Sequence, residues 1–359
     1  MKEFGFDYLL EQVTSGARVS ASMWRTLLDE LDDDEKHRLA LMARGVSQSH
    51  FGNGVYVRAL IEISSYCRNN CYYCGLRCSN GMAQRYRLSK EEILDCCDEA
   101  AVLGFNTFVL QGGEDPWQSD EWLADVVAAI RARYPEKAIT LSVGERTIVG
   151  YSMLRNAGAD RYLLRHETAN DTHYSHLHPS SMDPFQRRRC LVDLKALGYQ
   201  VGSGMMIGSP GQTVEHLVED MILLDKLKPH MIGIGPFIPA DGTPFAAELH
   251  GSVEDTLHLI SLLRLRFPKA LIPATTALAT LCDDGTQRAL LAGANVVMPN
   301  FTPLSCRRKY SIYNNKKYDG SESAQGLLTL SNKLEEIGYN IDFSRGDYPY
   351  KLCTTPNRK

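Results

Sequence analysis

The chain passes, at residues 55–74, through the stretch VYVRALIEISSYCRNNCYYC. The first ten of these residues are mostly apolar, which predicts an extended and buried strand. The strand leads directly into Cys67, Cys71 and Cys74, which have the spacing C-x3-C-x2-C. The stretch therefore predicts a strand that ends in a loop of three closely spaced thiols.

Three thiolates this close together can bind three irons of a 4Fe–4S cluster and leave the fourth iron without a protein ligand. Clusters that only transfer electrons normally have four cysteine ligands, so a three-cysteine site indicates chemistry at the open iron. Another interpretation stays open, because Cys78 extends the run to C-x3-C-x2-C-x3-C, which suits a closed site with structural zinc or an ordinary cluster. Structural zinc usually shows two cysteine pairs with a longer spacer, and this run lacks the spacer.

Composition limits the class of protein. The 359 residues include 44% hydrophobic and 23% charged side chains, and the net charge of −4 gives no reason to expect nucleic acid or an anionic membrane as a partner. The start, Met1–Asp7, lacks an apolar signal core, and no run reaches the ~18 apolar residues that a membrane span needs. Ten cysteines in such a chain indicate thiols and metal ligation rather than disulfides. We expect a cytoplasmic protein.

From Val55 onward, short β-rich runs alternate with amphipathic segments. The predicted strands are Val55–Ile63, Thr107–Gln111, Ile139–Val143, Arg161–Arg165, Gln200–Ile207, Met231–Phe237, Leu271–Thr275 and Asn295–Met298. The predicted helices between them include Ser89–Leu103, Glu121–Tyr134, Asp183–Leu197, Thr213–Lys226 and Val253–Phe267. Eight strand–helix alternations favour an α/β fold of the (β/α)8 TIM-barrel type, with a doubly wound sheet as the main alternative.

The segments on either side of the barrel have other patterns. Residues 1–50 have helical periodicity, and a helix at about Ser323–Ile337 is followed by an irregular tail to Lys359. We therefore predict an N-terminal helical extension at 1–50, the barrel at 51–305, and a C-terminal segment at 306–359 that closes the barrel.

Polar or small residues follow nearly every predicted strand, as expected where the carboxyl ends of barrel strands meet at one mouth. Gly113 lets the backbone approach a ligand, and Glu114 and Asp115 can accept bonds from an ammonium, although a plain acidic turn is also open. Glu167 can accept hydrogen bonds from ribose hydroxyls and Ser142 can donate one to a carboxylate. The alternative is that both are satisfied polar groups of the barrel rim.

Two arginines, Arg161 and Arg165, fall on the same face of the fourth predicted strand. Inside a barrel they are costly unless they are paired or bind anions. Their guanidinium groups suit the carboxylate of a ligand. Internal salt bridges to Glu145 or Glu167 are the alternative, and both interpretations can hold at once.

The cysteine loop resembles the signature of radical S-adenosylmethionine (SAM) enzymes, in which SAM chelates the open iron and an electron from the cluster cleaves it to a 5′-deoxyadenosyl radical. Longer strings resemble one family among them, the HydE-type maturases of iron–iron hydrogenase, which are close kin of methylornithine synthase and biotin synthase. The similarity runs from about Tyr56 to Tyr313 and includes QGGEDP (111–116), DRYLLRHETAN (160–170), GIGPFIP (233–239), PATTA (273–277) and GANVVMPN (293–300).

The resemblance implies roles for individual residues. It implies a 4Fe–4S cluster on Cys67, Cys71 and Cys74, with Cys78 as a bystander. The implied contacts to SAM are Tyr73, Gly113, Glu114, Asp115, Ser142, Glu167 and Arg187, or Arg188 if the alignment shifts by one residue. The implied lining of an internal substrate cavity is Arg161, Arg165, Thr275, Thr276, Met298 and Tyr313.

The implied reaction is attack of the adenosyl radical at the sulfur of a cysteine-bound iron carbonyl cyanide precursor of the hydrogenase H-cluster. The implied partners are this small organometallic substrate, an electron donor such as ferredoxin or flavodoxin, and other hydrogenase maturation proteins. Two alternatives stay open: an amino-acid mutase like methylornithine synthase, and a non-catalytic iron–sulfur scaffold. A lysine substrate needs an acidic partner for its side-chain ammonium, and Pro273–Thr280 offers none before Asp283, which favours the maturase.

The chain departs from the family in one respect. Some members carry a second iron–sulfur cluster on three cysteines after the last strand. The corresponding segment, Tyr313–Leu328, contains no cysteine. We therefore expect no second cluster.

Overall fold

The computed structural model describes residues 3–317 and 324–350. Its strands are β1 (Gly54–Val57), β2 (Ala59–Ser64), β3 (Thr107–Gly112), β4 (Ala138–Ser142), β5 (Arg161–Leu163), β6 (Gln200–Ser203), β7 (Met206–Ile207), β8 (Met231–Ile232), β9 (Gly235–Pro236), β10 (Val296–Val297) and β11 (Asn340–Asp342). The seventh predicted strand is present only as single-residue bridges at Leu271 and Pro273. Proline has no amide hydrogen to donate, which limits pairing there.

The strands close into a parallel barrel. β2, β3, β4, β5, β6 and β8 pair in that order. Met231 in β8 then bridges Leu271, Pro273 bridges Val296, and β10 pairs in parallel with β1. Because β1 and β2 are two halves of one strand separated at Arg58, this last pairing completes a ring of eight strands. The predicted (β/α)8 barrel is confirmed, and the doubly wound sheet is excluded.

The helices are α1 (Phe6–Thr14), α2 (Ala21–Asp29), α3 (Asp33–Phe51), α4 (Lys90–Val102), α5 (Asp120–Arg133), α6 (Ile148–Ala157), α7 (Asp171–Leu177), α8 (Pro184–Ala196), α9 (Val214–Leu227), α10 (Val253–Arg266), α11 (Thr276–Leu281), α12 (Gly285–Leu291), α13 (Leu304–Arg307) and α14 (Ala324–Glu335). Local capping explains where several begin. Ser89 and Glu92 form a reciprocal capping box at the start of α4, and Asp32 and Glu35 form another at α3.

Alternate strand residues point to opposite sides of the barrel wall. Outward residues such as Ile61 and Ile63 join the main apolar core beneath the helices. Inward residues at the amino ends of the strands form a first layer that includes Arg58, Thr107, Arg161, Gln200 and Met231. Four residues further along each strand lies a polar layer at the mouth, which includes Glu62, Gln111, Arg165 and Thr275, with Ser142 and Asn300 beside them.

Residues 340–350 pack at the end of the barrel opposite the mouth. β11 pairs in parallel with β1, and Asp347 reaches Arg161 in the first layer. The predicted irregular tail is therefore wrong for residues 340–350, which contain a strand and a packed segment. Residues 351–359 and the predicted helix start at Ser323 lie outside the described residues.

The N-terminal helices cover the outside of the barrel, where α2 packs against α9 and α3 packs against α10 and α12. The division at residues 50 and 305 stays a prediction. Within the described ranges, no helix has the length and apolar character of a membrane span.

Candidate active site

The three predicted cluster cysteines lie in the loop that follows β2, at the mouth of the barrel. Backbone hydrogen bonds hold this loop on two sides. Arg68 N donates to Glu114 O, and Gly75 N donates to Ile312 O, each at 2.9 Å. Across the loop, Cys78 N donates to Asn69 O, also at 2.9 Å. The loop is therefore built into the barrel mouth and into the C-terminal segment.

Burial separates the four cysteines of the run. Cys71 is buried, Cys67 and Cys74 are half-buried, and Cys78 is exposed. Burial raises the pKa of Cys67 and Cys71 and raises the pKa of Cys74 to about 12, and neighbouring thiols add to the increase. Iron binding replaces the thiol protons, so a bound cluster offsets the cost of burying thiolates. Three soft sulfur donors in one loop fit the predicted 4Fe–4S cluster.

The arrangement of the cysteines also bears on the zinc alternative. In the part of the chain that the structure describes, no three His, Cys, Asp or Glu side chains are placed to hold one metal ion. A structural zinc site needs four ligands around a single ion. In a cubane, by contrast, each cysteine binds a different iron, so the thiols need not converge on one point.

Gly113 allows the turn after β3 to pack directly on the cysteine loop. A Cβ at this position would lie 2.4 Å from Tyr66 O and 2.7 Å from Cys67 Cβ. Neither neighbour is the free end of a flexible side chain, so a residue with a Cβ would displace the loop. Gly113 therefore packs against Cys67, the first cysteine of the loop. It is one of the residues predicted to contact SAM.

The two carboxylates that follow have different surroundings. Glu114 accepts from Arg68 Nε at 3.1 Å and from Glu145 N at 2.9 Å, which leaves lone pairs on both oxygens. Asp115 is fully engaged: it accepts from Ser64 Oγ, from Arg87 Nε and Nη2, and from Trp117 N, at 2.6–3.0 Å. Asp115 therefore ties the turn to the barrel wall, and its contact with SAM stays a prediction.

Glu167 lies four residues after the end of β5 and has a strained backbone. Its φ is +65°, a left-handed conformation that is uncommon for residues other than glycine. Arg165 Nε lies 3.5 Å from Glu167 Oε2, and both atoms are buried without a hydrogen bond within the described chain. The predicted internal salt bridge between these residues is present. The unsatisfied atoms fit polar groups of a ligand inside the barrel.

Arg187, rather than Arg188, reaches the site. Arg187 Nε lies 2.6 Å from Glu145 Oε1, within ion-pair distance. Burial lowers the pKa of Arg187, but Glu145 and Tyr174 raise it to well above its usual value, so the side chain stays charged. Arg188 instead pairs with Asp171 on the surface at 2.7 Å. Arg187 therefore lies beside the cysteine loop and Arg188 does not, and the contact of Arg187 with SAM stays a prediction.

Tyr73 lies between the second and third cysteines and faces a histidine that the sequence analysis did not assign to the site. Tyr73 Oη and His178 Nε2 are 3.2 Å apart, and the two rings meet edge to face. His178 Nδ1 contacts Tyr174 O at 2.9 Å, and burial lowers the pKa of His178 to about 3. His178 is therefore a neutral residue that fixes Tyr73 against the cysteine loop.

Arg161 lies at the other end of the barrel from the cysteine loop. Its Nη2 donates to Arg345 O at 2.7 Å and to Asp347 Oδ1 at 2.6 Å, and its Nε donates to Gln200 Oε1 at 3.3 Å. Arg165 is four residues further along the chain, roughly 13 Å for an extended strand. The structure thus separates the two arginines, and a substrate contact for Arg161 stays a prediction.

The other predicted cavity residues are distributed around the rim. Thr275 Oγ1 is buried without a hydrogen-bond partner among the described residues and lies in the mouth layer. Thr276 and Met298 line a cavity of about 270 Å³ next to α12 and α14. Tyr313 lies in the half-buried segment that follows Tyr310, and Ser142 ends β4 opposite Gln111.

Glu62 and Lys316 form a buried ion pair in the mouth layer that the sequence analysis missed. Lys316 Nζ contacts Glu62 Oε1, and Asn300 Nδ2 donates to Glu62 Oε2 at 2.9 Å. Both charged side chains are almost fully buried. Although Pro273–Thr280 contains no carboxylate, the barrel therefore does contain a buried one, that of Glu62. An alternation of inward residues along the first strand would have pointed to Glu62, but no local pattern points to Lys316.

A parallel barrel with three thiols, arginine–glutamate pairs and unsatisfied polar atoms at its mouth is the arrangement expected of a radical SAM-type enzyme. The chain belongs to the radical SAM superfamily, whose family model matches residues 61–224. It is 44% identical over 276 residues to the [FeFe] hydrogenase maturase subunit HydE of Thermotoga maritima, covering 77% of this chain and 78% of that one.

Two further similarities relate the chain to methylornithine synthases. It is 31% identical over 334 residues to the 3-methylornithine synthase of Methanosarcina acetivorans, covering 91% of this chain and 92% of the relative. The crystal structure of methylornithine synthase (PylB) superimposes with a TM-score of 0.81 and 29% identity, over 93% of this chain and 97% of that one. The 4Fe–4S cluster and SAM follow from the family, and the protein is an enzyme.

Proposed function

We propose that this radical SAM enzyme acts in hydrogenase maturation, on a cysteine-bound iron carbonyl cyanide precursor of the H-cluster. The observation that carries the proposal is the 44% identity to a hydrogenase maturase over 276 residues, against 31% to a methylornithine synthase. The strings around Glu167 and Asn300 that resemble the maturases are also the strings that form the barrel mouth.

Each part of the mouth has a task in this proposal. When bound, the cluster and SAM supply a 5′-deoxyadenosyl radical. Cys67, Cys71 and Cys74 hold the cluster, while Glu114 and Arg187 orient the charged methionine end of SAM. Glu167 accepts hydrogen bonds from the ribose hydroxyls. The surrounding barrel wall excludes water from the reacting groups.

Arg165 is the residue we assign to the substrate. Its Nε is buried without a hydrogen bond within the described chain, and Thr275 Oγ1 in the same layer is likewise unsatisfied. A guanidinium and a hydroxyl at the mouth suit the carboxylate of a cysteine moiety. Arg161 contributes no such atom, because protein oxygens of the C-terminal segment already accept from it.

A second candidate is an amino-acid mutase like methylornithine synthase. The observation that favours it is Glu62, a buried carboxylate in the mouth layer that could accept the ammonium of a lysine substrate. Lys316 and Asn300 already bond to both oxygens of Glu62, so a substrate ammonium would have to displace Lys316. This requirement makes the mutase the weaker proposal.

Two assays on one preparation separate the candidates. Reconstituted protein is added to a hydrogenase maturation mixture that lacks its HydE component, and it is separately incubated with L-lysine, SAM and a reductant. We expect activation of apo-hydrogenase and no 3-methylornithine. Formation of 3-methylornithine without hydrogenase activation would overturn the proposal in favour of the mutase.

A further inference from the structure

Positive charge is concentrated in two segments that flank the cluster loop. Residues 63–90 contain five Lys and Arg and no Asp or Glu, and residues 303–317 contain another five and again no acidic residue. The protein as a whole has a net charge of −4. Arg68, Arg87, Lys90, Lys316 and Lys317 each pair with a carboxylate from elsewhere in the chain. The excess positive charge of the two segments is therefore local, and at the surface it includes Arg308 and Lys309.

These segments meet along a surface groove of about 340 Å³. We call it the basic groove; its walls include Gly75, Met82, Arg308 and Lys309, with one acidic residue, Asp241. Met82 is 69% exposed at one edge. The groove thus combines an exposed apolar side chain with cationic walls, as the surfaces that bind other proteins often do.

Several cations of this region have no acidic partner. Arg85 donates only to the carbonyls of Ser65, Leu76 and Arg77. In residues 3–317 and 324–350, neither Arg308 nor Lys309 lies within salt-bridge distance of a carboxylate. Asp241 is the one carboxylate that lines the groove, and it accepts from Asn314 Nδ2. Two cations against one carboxylate leave the groove with a net positive charge, which can attract an acidic surface.

The floor of the groove belongs to the cluster loop itself. Gly75 directly follows the third cluster cysteine, and its N–H donates to Ile312 O at 2.9 Å. A Cβ at Gly75 would lie 2.1 Å from Ser311 O, so the loop and the C-terminal segment touch at this point. A protein seated in the groove would stand one residue away from a cluster ligand.

We propose that the basic groove is the docking site of an acidic one-electron donor protein that reduces the cluster. This inference rests on the proposed function, because a radical SAM enzyme consumes an electron from outside. In the step, the donor protein loses one electron and is oxidised, and the cluster gains it and is reduced, with no bond made or broken. Nucleic acid fits the site less well, since the groove is short and has the apolar Met82 at its edge.

Charge reversal at the groove tests the proposal. The variant R308E/K309E is compared with K226E/K228E, which changes the net charge equally at two exposed lysines at the opposite end of the barrel. Binding of oxidised flavodoxin, an acidic one-electron carrier, is measured at low and high salt. We expect wild-type binding to weaken with salt, R308E/K309E to raise the Kd at least about tenfold, and the control to stay within about twofold of wild type.

A reductant comparison adds an independent result. With dithionite, which needs no docking site, R308E/K309E should cleave SAM at the wild-type rate. With flavodoxin as the electron source, the rate should fall at least about tenfold. Unchanged flavodoxin binding and rate in R308E/K309E, or absence of salt-dependent binding to wild type, would overturn the docking site. Failure of wild type with dithionite would instead overturn the proposed function.

Discussion

Arg161 Nη2 lies 2.6 Å from Asp347 Oδ1 at the end of the barrel opposite the cysteine loop. Arg161 is completely buried, and Asp347 is its one carboxylate partner among the described residues. The C-terminal segment thus supplies the charge that a buried arginine in the barrel requires. The pair stabilises the fold and lies away from the predicted SAM contacts.

Asp347→Asn should therefore destabilise the protein without affecting cluster assembly. It leaves Arg161 without a carboxylate, which we expect to cost about 1–3 kcal/mol in the free energy of unfolding. Urea unfolding measures this loss. Glu136→Gln removes an exposed carboxylate from the same end of the barrel and serves as the control. Equal unfolding midpoints for wild type and Asp347→Asn would contradict this role of the pair.

The same pair has a defined pH dependence. Burial raises the pKa of Asp347, but Arg345 and Arg161 lower it more, to about 2. A carboxyl whose pKa is lower in the folded state stabilises the fold fully above its unfolded value, near 4, and loses that contribution as the pH falls through about 2. The difference in the free energy of unfolding between wild type and Asp347→Asn should therefore become smaller on acidification. A difference that is constant from pH 7 to pH 2 would contradict this linkage.

Local patterns predicted the barrel because each strand carries its own signal. Apolar runs such as Val55–Ile63 and the capping box at Ser89 depend only on neighbouring residues, and both appear in the structure. The sequence also predicted that Arg161 and Arg165 lie on the same face of a strand. It did not predict that they have different partners, because the partner of Arg161 lies 186 residues away in a segment with no strong pattern.

The polar mouth was predictable in part for the same reason. Polar residues that come after strands, such as Glu114 and Glu167, are expected at the mouth from the topology of a barrel. Lys316 is not, since it pairs with Glu62 across 254 residues and comes from a segment after β10, the last strand of the barrel. Residues whose role depends on such long-range packing need the folded structure.

Cluster assembly should depend on three of the four cysteines in the run. Cys67→Ala, Cys71→Ala and Cys74→Ala should each abolish the visible absorption of anaerobically reconstituted protein, because each removes the ligand of one iron. Cys78→Ala is the matched control: this thiol is exposed, and its removal should leave the absorption intact. An equal loss in Cys78→Ala would indicate the closed four-thiolate site.

Arg187 and Arg188 should differ sharply in their effect on SAM binding. Arg187→Met removes a buried cation from the site, and the loss of one charge-assisted contact, about 1.5–3 kcal/mol, should weaken SAM binding about ten- to hundredfold. Arg188→Met changes only a surface pair with Asp171 and should bind normally. Equilibrium dialysis of SAM against reconstituted protein measures both. Because Arg187→Met also leaves Glu145 unpaired, Arg187→Met/Glu145→Gln controls for misfolding.

Arg165→Met should spare the cluster and SAM cleavage but depress turnover of a cysteine-derived substrate. The expected loss of substrate affinity is about ten- to hundredfold, for the same loss of one charge-assisted contact. Arg161→Met is the comparison, and it should lower stability more than substrate affinity. Equal substrate affinity in wild type and Arg165→Met would remove Arg165 from the substrate site.

The central claim is that the three-cysteine cluster, held at the mouth of the barrel, cleaves SAM. The most direct measurement is the formation of 5′-deoxyadenosine, or of an adduct derived from SAM, by the anaerobically reconstituted and dithionite-reduced protein. We expect one of these products in wild type and neither in Cys71→Ala. Intact SAM after incubation with wild-type protein of full iron and sulfide content would contradict the account and leave a non-catalytic iron–sulfur scaffold.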